Sequence, residues 1–345
     1  MFGMNRPGFG DRQKIAKKFR AELDGFVQAI DWSPCGNLFA AVTVEGLLFV
    51  GSHREKTGKK VLAHPKGAGS LAWIGRNRLA TAGHDGLVKV WNVENAPIEE
   101  SVTDCGRGNW VSCLQRSPCG NYLAACFAKT TRIISLTGSP PLDLPPSPST
   151  VTDLAWEPKN SRLAVAAYGG IHIFSPFDGV GPKLFEWKGS ALALEWSPNG
   201  RFIASGYQDS AVHIWLTATG KDLQMSGYST KIRELSWDSR SRWLATGGGN
   251  MPILWDFSGS GPENSKPLML GFPETCEKVT QLCFQGKRPI LASGDSEGKV
   301  CLYDPSKEKY PFANADFGSE ISSLRWSPDD SMAAIGTATG SVFLI

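Results

Sequence analysis

The chain of 345 residues is poor in the features that would mark many functional classes. Its eight cysteines include no CxxC pair, which excludes a zinc knuckle and does not resemble a disulfide framework. No run of about 18 apolar residues occurs, so no segment reads as a membrane-spanning helix. The opening "MFGMNRPGFGDRQK" lacks the apolar core of a secretory leader. A net charge of only +3 argues against a partner held mainly by phosphate neutralisation. Heptads and long amphipathic periods are missing, and with them the helical classes. There is no GxSxG, HExxH or P-loop, and no GxGxxG between a strand and a helix, so no familiar catalytic template is present. These absences lead us to expect a soluble, cytoplasmic protein, the nucleus remaining open, with neither metal nor cofactor.

What is present is turn residues, tryptophan and repetition. Gly (38), Pro (22) and Trp (12) are spread along the whole chain. Eight copies of one unit follow one another, among them "IDWSPCGNLFAAVTVEGLLFV", "LAWIGRNRLATAGHDGLVKVW", "LEWSPNGRFIASGYQDSAVHIW" and "LRWSPDDSMAAIGTATGSVFLI". Their anchors are Trp32, Trp73, Arg116, Trp156, Trp196, Trp237, Phe284 and Trp326, spaced 41, 43, 40, 40, 41, 47 and 42 residues apart. Each unit reads as an alternating strand, an SP-x-G-like turn, a strand of small residues, a D-G-like turn and a β-branched strand, with room for a fourth strand before the next anchor. Strand-rich periods of 40 to 45 residues are propeller blades.

The sequence resembles the WD-repeat β-propeller family over nearly its whole length. The second unit carries the family's hydrogen-bonding tetrad as His64, Thr81, Asp85 and Trp91; the resemblance implies a structural role for these four. Ser205, Asp209 and Trp215 keep three members of it. The expected fold is all-β, a single eight-bladed propeller of four-stranded antiparallel blades over residues 16–345, behind a flexible tail of residues 1–15. The last unit supplies only three strands, and Phe19, Ala21 and Leu23 alternate with Lys18, Arg20 and Glu22, so residues 16–24 are expected to close the ring in the last blade. The segment 135–150, with five prolines, reads either as a polyproline motif or as a protected edge strand.

The family's partners often bind the face formed by the loops entering the first strand and by the turns after the second. By that analogy the candidate partner-binding residues are Phe26, Gln28, His84, Trp110, Ser112, Tyr168, Gln208, Lys231, Arg233 and Lys278, with Thr152, Thr280 and Ser322 at equivalent positions. One side is aromatic and the other basic, which suits an acidic or phosphorylated peptide with a hydrophobic residue. The competing reading makes Phe26 and Trp110 part of the core rim and the cations a solvated face. The expected function is a non-catalytic scaffold or adaptor, monomeric itself within a larger complex and without a membrane partner. The alternative is nucleic-acid association through the basic arc and Arg12, Lys14, Lys17, Lys18 and Arg20. A propeller hydrolase ranks below both, because histidines and carboxylates are not seen to converge.

Overall fold

Small residues in the middle of each unit explain how the strands stack. In the computed structural model, which describes residues 12–106, 108–259, 261–262, 265–271 and 277–345, every described element is a strand. The second unit shows the pattern: Ala68–Trp73, Arg78–Gly83, Leu87–Asn92 and Ile98–Asp104 lie side by side in that order, each antiparallel to the next. Burial falls outward, from a second strand buried at all but its first residue to an outer strand exposed almost throughout. The second strand is covered on both faces by neighbouring units, so only Ala, Gly, Thr and Leu fit.

The cores lie between successive units. Ala40, Leu48, Leu71, Trp73 and Trp91 form one such cluster, and Leu23, Val27, Trp32, Phe39, Ala334 and Val342 form the one that joins the last unit to the first. The innermost strands touch in a closed cycle. Five of the six anchor tryptophans tie this cycle together, because their indole N–H reaches the carbonyl of the residue before the preceding anchor, while the Trp237 indole makes no such bond. Trp73 donates to Asp31 (3.1 Å), Trp156 to Gln115 (3.2 Å), Trp196 to Ala155 (2.9 Å) and Trp326 to Cys283 (3.0 Å). Trp32 donates to the Arg325 carbonyl at 3.1 Å and so spans the seam between the two ends of the chain.

The edge left by the last unit is covered by Phe19–Glu22, antiparallel to Ser341–Leu344, with Phe19 opposite Leu344 and Glu22 opposite Ser341. Of the expected tail, residues 1–11 lie outside the described residues. Gln13–Lys14 add a short parallel fifth strand to the seventh unit, beside Ala313–Asn314. In the proline-rich segment, Leu142–Asp143 pair with the third strand of their unit, and Arg132 holds the Asp143 carboxylate with two bonds of 2.6 and 2.7 Å.

The expectation of eight separate four-stranded blades is corrected. Counted as continuous hydrogen-bonded sheets, the ring has seven blades, because the fourth and fifth units share one six-stranded sheet. Two breaks read from the sequence do not occur. Leu163–Ser175 runs on through "YGG" where a turn was expected, and Val180–Trp196 stays extended from the outer edge of the fourth unit to the innermost position of the fifth. Tyr168 pairs with Ser190 and Gly169 with Trp187, so the two long strands join across an irregularity. Gly170, at φ +127°, makes this possible: a Cβ there would stand 2.1 Å from the Phe185 carbonyl oxygen.

Candidate functional site

The entering loops and second turns lie at one end of the ring, and backbone hydrogen bonds hold them together. Val44 N–H donates to Phe26 O, His84 to Gly67, Gln208 to Ser190, Ser296 to Lys278 and Ala338 to Glu320, at 2.9 to 3.1 Å. The side chains carried by this scaffold are mostly exposed. Gln28, Ser112, Gln208, Lys231, Arg233 and Lys278 are open to solvent, and Phe26 and His84 are half-buried. Trp110 is 65% exposed and Tyr168 51%. Trp110 lies flat on His84, with ring centroids 4.5 Å apart and planes 17° from parallel. A flat, pre-ordered indole at a channel mouth offers large contact area at little entropic cost.

The three hydroxyl residues at neighbouring face positions do something else. Thr152 donates to Ala191 O (2.6 Å), Thr280 to Ile321 O (2.6 Å) and Ser322 to Val27 O (2.7 Å). Each bond runs to the equivalent carbonyl of the next unit, so these side chains clamp the ring and are spent on it.

The tetrad residues of the second unit are joined in a chain. His64 Nδ1–H faces both Asp85 carboxylate oxygens at 3.0 Å, its Nε2 accepts from the Thr81 hydroxyl at 2.7 Å, and Thr81 accepts from the Trp91 indole at 2.9 Å. Burial pushes His64 below its ordinary pKa and the Asp85 bond opposes this, so the ring is neutral and a single tautomer satisfies every bond. The fifth unit differs: Trp215 donates to Ser205 (3.1 Å), but Asp209 is exposed and His213 instead meets Asp222 at 2.8 Å. In the sixth unit Tyr228 stands where the second has His64, nine residues before the anchor. Its hydroxyl lies 2.9 Å from Thr246 Oγ1 and accepts from Trp255 at 2.9 Å.

A further charged group lines the channel below the face. The positions one and three before each anchor point inward from the innermost strands and place Asp31, Asp153, Glu195, Glu234 and Arg325 there. Burial raises Asp31 to about 6, against the pull of Arg325 and the Trp32 N–H. It raises Asp153 to about 6 against the N–H groups of Leu194 and Leu154 and the charges of Arg233 and Arg325. Glu195 is raised furthest, to about 8, chiefly by burial, with the Trp237 N–H and Arg325 opposing. Burial also raises Glu234, against its own and the Arg233 N–H and the charges of Lys278 and Arg233. A spacing rule that looks four and six residues before the anchors passes these over; the signal that finds them is charge at inward strand positions that other units fill with Ala, Ser, Cys or Gln.

Among the described residues no group of three or more His, Cys, Asp or Glu is arranged to hold a metal. His64, His172 and His213 sit within blades, and His53 packs against Trp32.

The family description "WD domain, G-beta repeat" matches residues 56–92, and "Anaphase-promoting complex subunit 4 WD40 domain" matches residues 183–240. Cell division cycle 20.1, cofactor of APC complex, from Arabidopsis thaliana is 25% identical over 216 residues, which is 58% of this chain and 45% of that protein. WD repeat-containing protein 1 from Xenopus tropicalis is 25% identical over 162 residues, 44% of this chain and 25% of that one. Poly(A)+ RNA export protein from Schizosaccharomyces pombe is 26% identical over 191 residues, 52% of each. The chain thus spans about half or less of the length of these relatives. Among solved structures, the computationally designed Ika8 protein superposes with a TM-score of 0.79 at 18% identity, over 95% of this chain and 98% of that one, a likeness of fold alone. With its repeating unit, its closed ring of antiparallel sheets and these matches, the chain is similar to proteins of the WD-repeat β-propeller family.

Proposed function

We propose that this propeller is a non-catalytic docking scaffold whose partner lies across the channel mouth. The single observation that carries the reading is Trp110, exposed over 65% of its surface and held flat on His84 at the end of the ring where the loops converge. Buried aromatic anchors dominate interface energy. The partner we infer is a peptide segment pairing a hydrophobic residue, taken by Trp110 and Tyr168, with acidic or phosphorylated residues, taken by Lys231, Arg233 and Lys278. Arg233 supplies the forked donors that carboxylates and phosphates match. The Arabidopsis relative is described as a cofactor of the APC complex, which fits a family that works by holding other proteins.

The nucleic-acid reading has less support, because four of the five N-terminal cations are turned onto the protein itself. Arg12 pairs with Glu308 at 3.2 Å, Lys14 donates to Asn314 at 2.9 Å, Lys17 donates to the Asp316 carbonyl at 2.5 Å, and Arg20 meets Glu22.

The test is affinity capture from native lysate with wild type and with a Trp110→Ala/Arg233→Glu double variant whose melting is unchanged. A stoichiometric protein lost only from the variant supports the reading. The same proteins on both would move the docking site off this face, and nucleic acid alone would replace the scaffold with the alternative.

A further inference from the structure

Cys113 and Cys126 face each other in the third unit. They are direct partners in the antiparallel pairing of Val111–Arg116 with Tyr122–Phe127, so both side chains leave the same face of the sheet. Directly opposed residues hold their Cα atoms about 4.5–5.5 Å apart, inside the roughly 4.4–6.8 Å that a disulfide spans. A bulge between Val111 and Cys113 makes Ser112 the extra residue. Its hydroxyl oxygen lies 3.3 Å from the Cys126 sulfur and 3.8 Å from the Cys113 sulfur, gathering both at one point. The Cys113 thiol also reaches the Thr152 carbonyl of the next unit at 3.5 Å. Both cysteines are free thiols, Cys126 buried and Cys113 half-buried toward the channel.

We propose that Cys113 and Cys126 are a redox-convertible pair, closed into a cross-strand disulfide by a small disulfide oxidant of the glutathione type and reopened by a dithiol. Cys113, the accessible member, loses its proton and attacks one sulfur of oxidised glutathione, releasing the first glutathione thiolate. The Cys126 thiolate then attacks the Cys113 sulfur of the mixed disulfide and releases the second. Two protein thiols and one glutathione disulfide become one protein disulfide and two glutathione thiols, and the two protons lost by the cysteines are taken up by the leaving thiolates. In the reduced pair the contact between the thiols raises Cys113 and lowers Cys126, so Cys113 attacks first because of its exposure and not its acidity, and its deprotonation limits the first step.

The link would pin the bulge at Ser112, two residues from Trp110, and so make the channel-mouth face less mobile when oxidised. That consequence rests on the docking reading; the disulfide does not.

The protein is incubated folded with oxidised glutathione, alkylated, digested without reduction and mapped by mass spectrometry. The expected product is a peptide pair joined through Cys113 and Cys126, lighter by two hydrogens and separated by dithiothreitol. Exposed Cys35 and Cys119 serve as internal controls, each able to take up glutathione. The Cys113→Ser variant is expected to lose the link and leave Cys126 unmodified, even though its fold is retained. Recovery of both thiols as alkylated monomers while Cys35 and Cys119 carry glutathione would overturn the proposal, as would a persistent glutathione on Cys113. If the link forms and hydrogen exchange of residues 108–113 is unchanged, the restraint on the face is refuted, whatever the lysate capture shows.

Discussion

Glu195→Gln isolates the electrostatic cost of the channel. The Glu195 carboxyl is raised from an ordinary 4.5 to about 8 because burial penalises its charged form, and only the Trp237 N–H, 3.2 Å from Oε1, and the distant Arg325 oppose this. A carboxyl raised on folding stabilises the fold fully below its unfolded pKa, and that contribution is lost as pH climbs through the folded value. Here the window runs from about 4.5 to 8. At about 1.4 kcal/mol for each tenfold change in proton affinity, the full cost at pH 9 would be about 5 kcal/mol. Channel water screens part of it, so about 2–4 kcal/mol is expected. Glutamine keeps an oxygen for the Trp237 N–H and carries no charge at any pH. Urea unfolding at pH 5, 7 and 9 should therefore show the variant close to wild type at pH 5, more stable by most of the full difference at pH 7, and more stable by all of it at pH 9. Asp31 and Asp153, raised to about 6, add to the wild-type slope between about pH 4 and 6 and remain in both proteins. A variant that is no more stable at pH 9, or is weakened equally at all three values, would refute the reasoning.

Thr81→Val leaves His64 Nε2 and the Trp91 indole unpaired inside the second unit, and should cost about 2–4 kcal/mol by denaturant unfolding; a loss under about 0.5 kcal/mol would mean the chain of bonds adds little. Phe19→Ala removes a ring 5.4 Å from Phe39 at the seam and should lower stability by about 2–3 kcal/mol, with faster hydrogen exchange in Ser341–Leu344. Unchanged exchange there would show that the N-terminal strand does not hold the seam. Trp110→Ala should weaken partner affinity about thirtyfold or more with melting within a degree or two, and an equal loss of stability would return Trp110 to the core rim.

Much of the fold is legible because each unit repeats one local code: an alternating strand before the anchor, a turn rich in Ser, Pro and Gly, and a strand of small residues. The residues of the second-unit tetrad can be located through the family resemblance, which places His64 nine residues before Trp73. The fusion of the fourth and fifth units is not legible in that way. "AAYGGIHIF" looks like strand, turn and strand, and only the pairing of Tyr168 with Ser190 shows that the chain stays extended. Residue type also misleads on the face. Thr152, Thr280 and Ser322 occupy exposed-looking positions, yet their hydroxyls serve the next unit, because a short side chain beside a neighbouring carbonyl bonds to it before it meets solvent. Tyr228 in place of a tetrad histidine escapes a search for histidine, although its hydroxyl accepts the same kind of indole bond.

The docking face is tested most directly by footprinting the captured complex, comparing oxidative labelling of each aromatic and methionine side chain with and without the partner. The account predicts that Trp110 and Tyr168 lose labelling on binding while Phe177 and Met269, exposed elsewhere on the ring, keep theirs. Protection of Phe177 or Met269 with Trp110 still fully labelled would contradict it and place the partner on the outer edges of the blades.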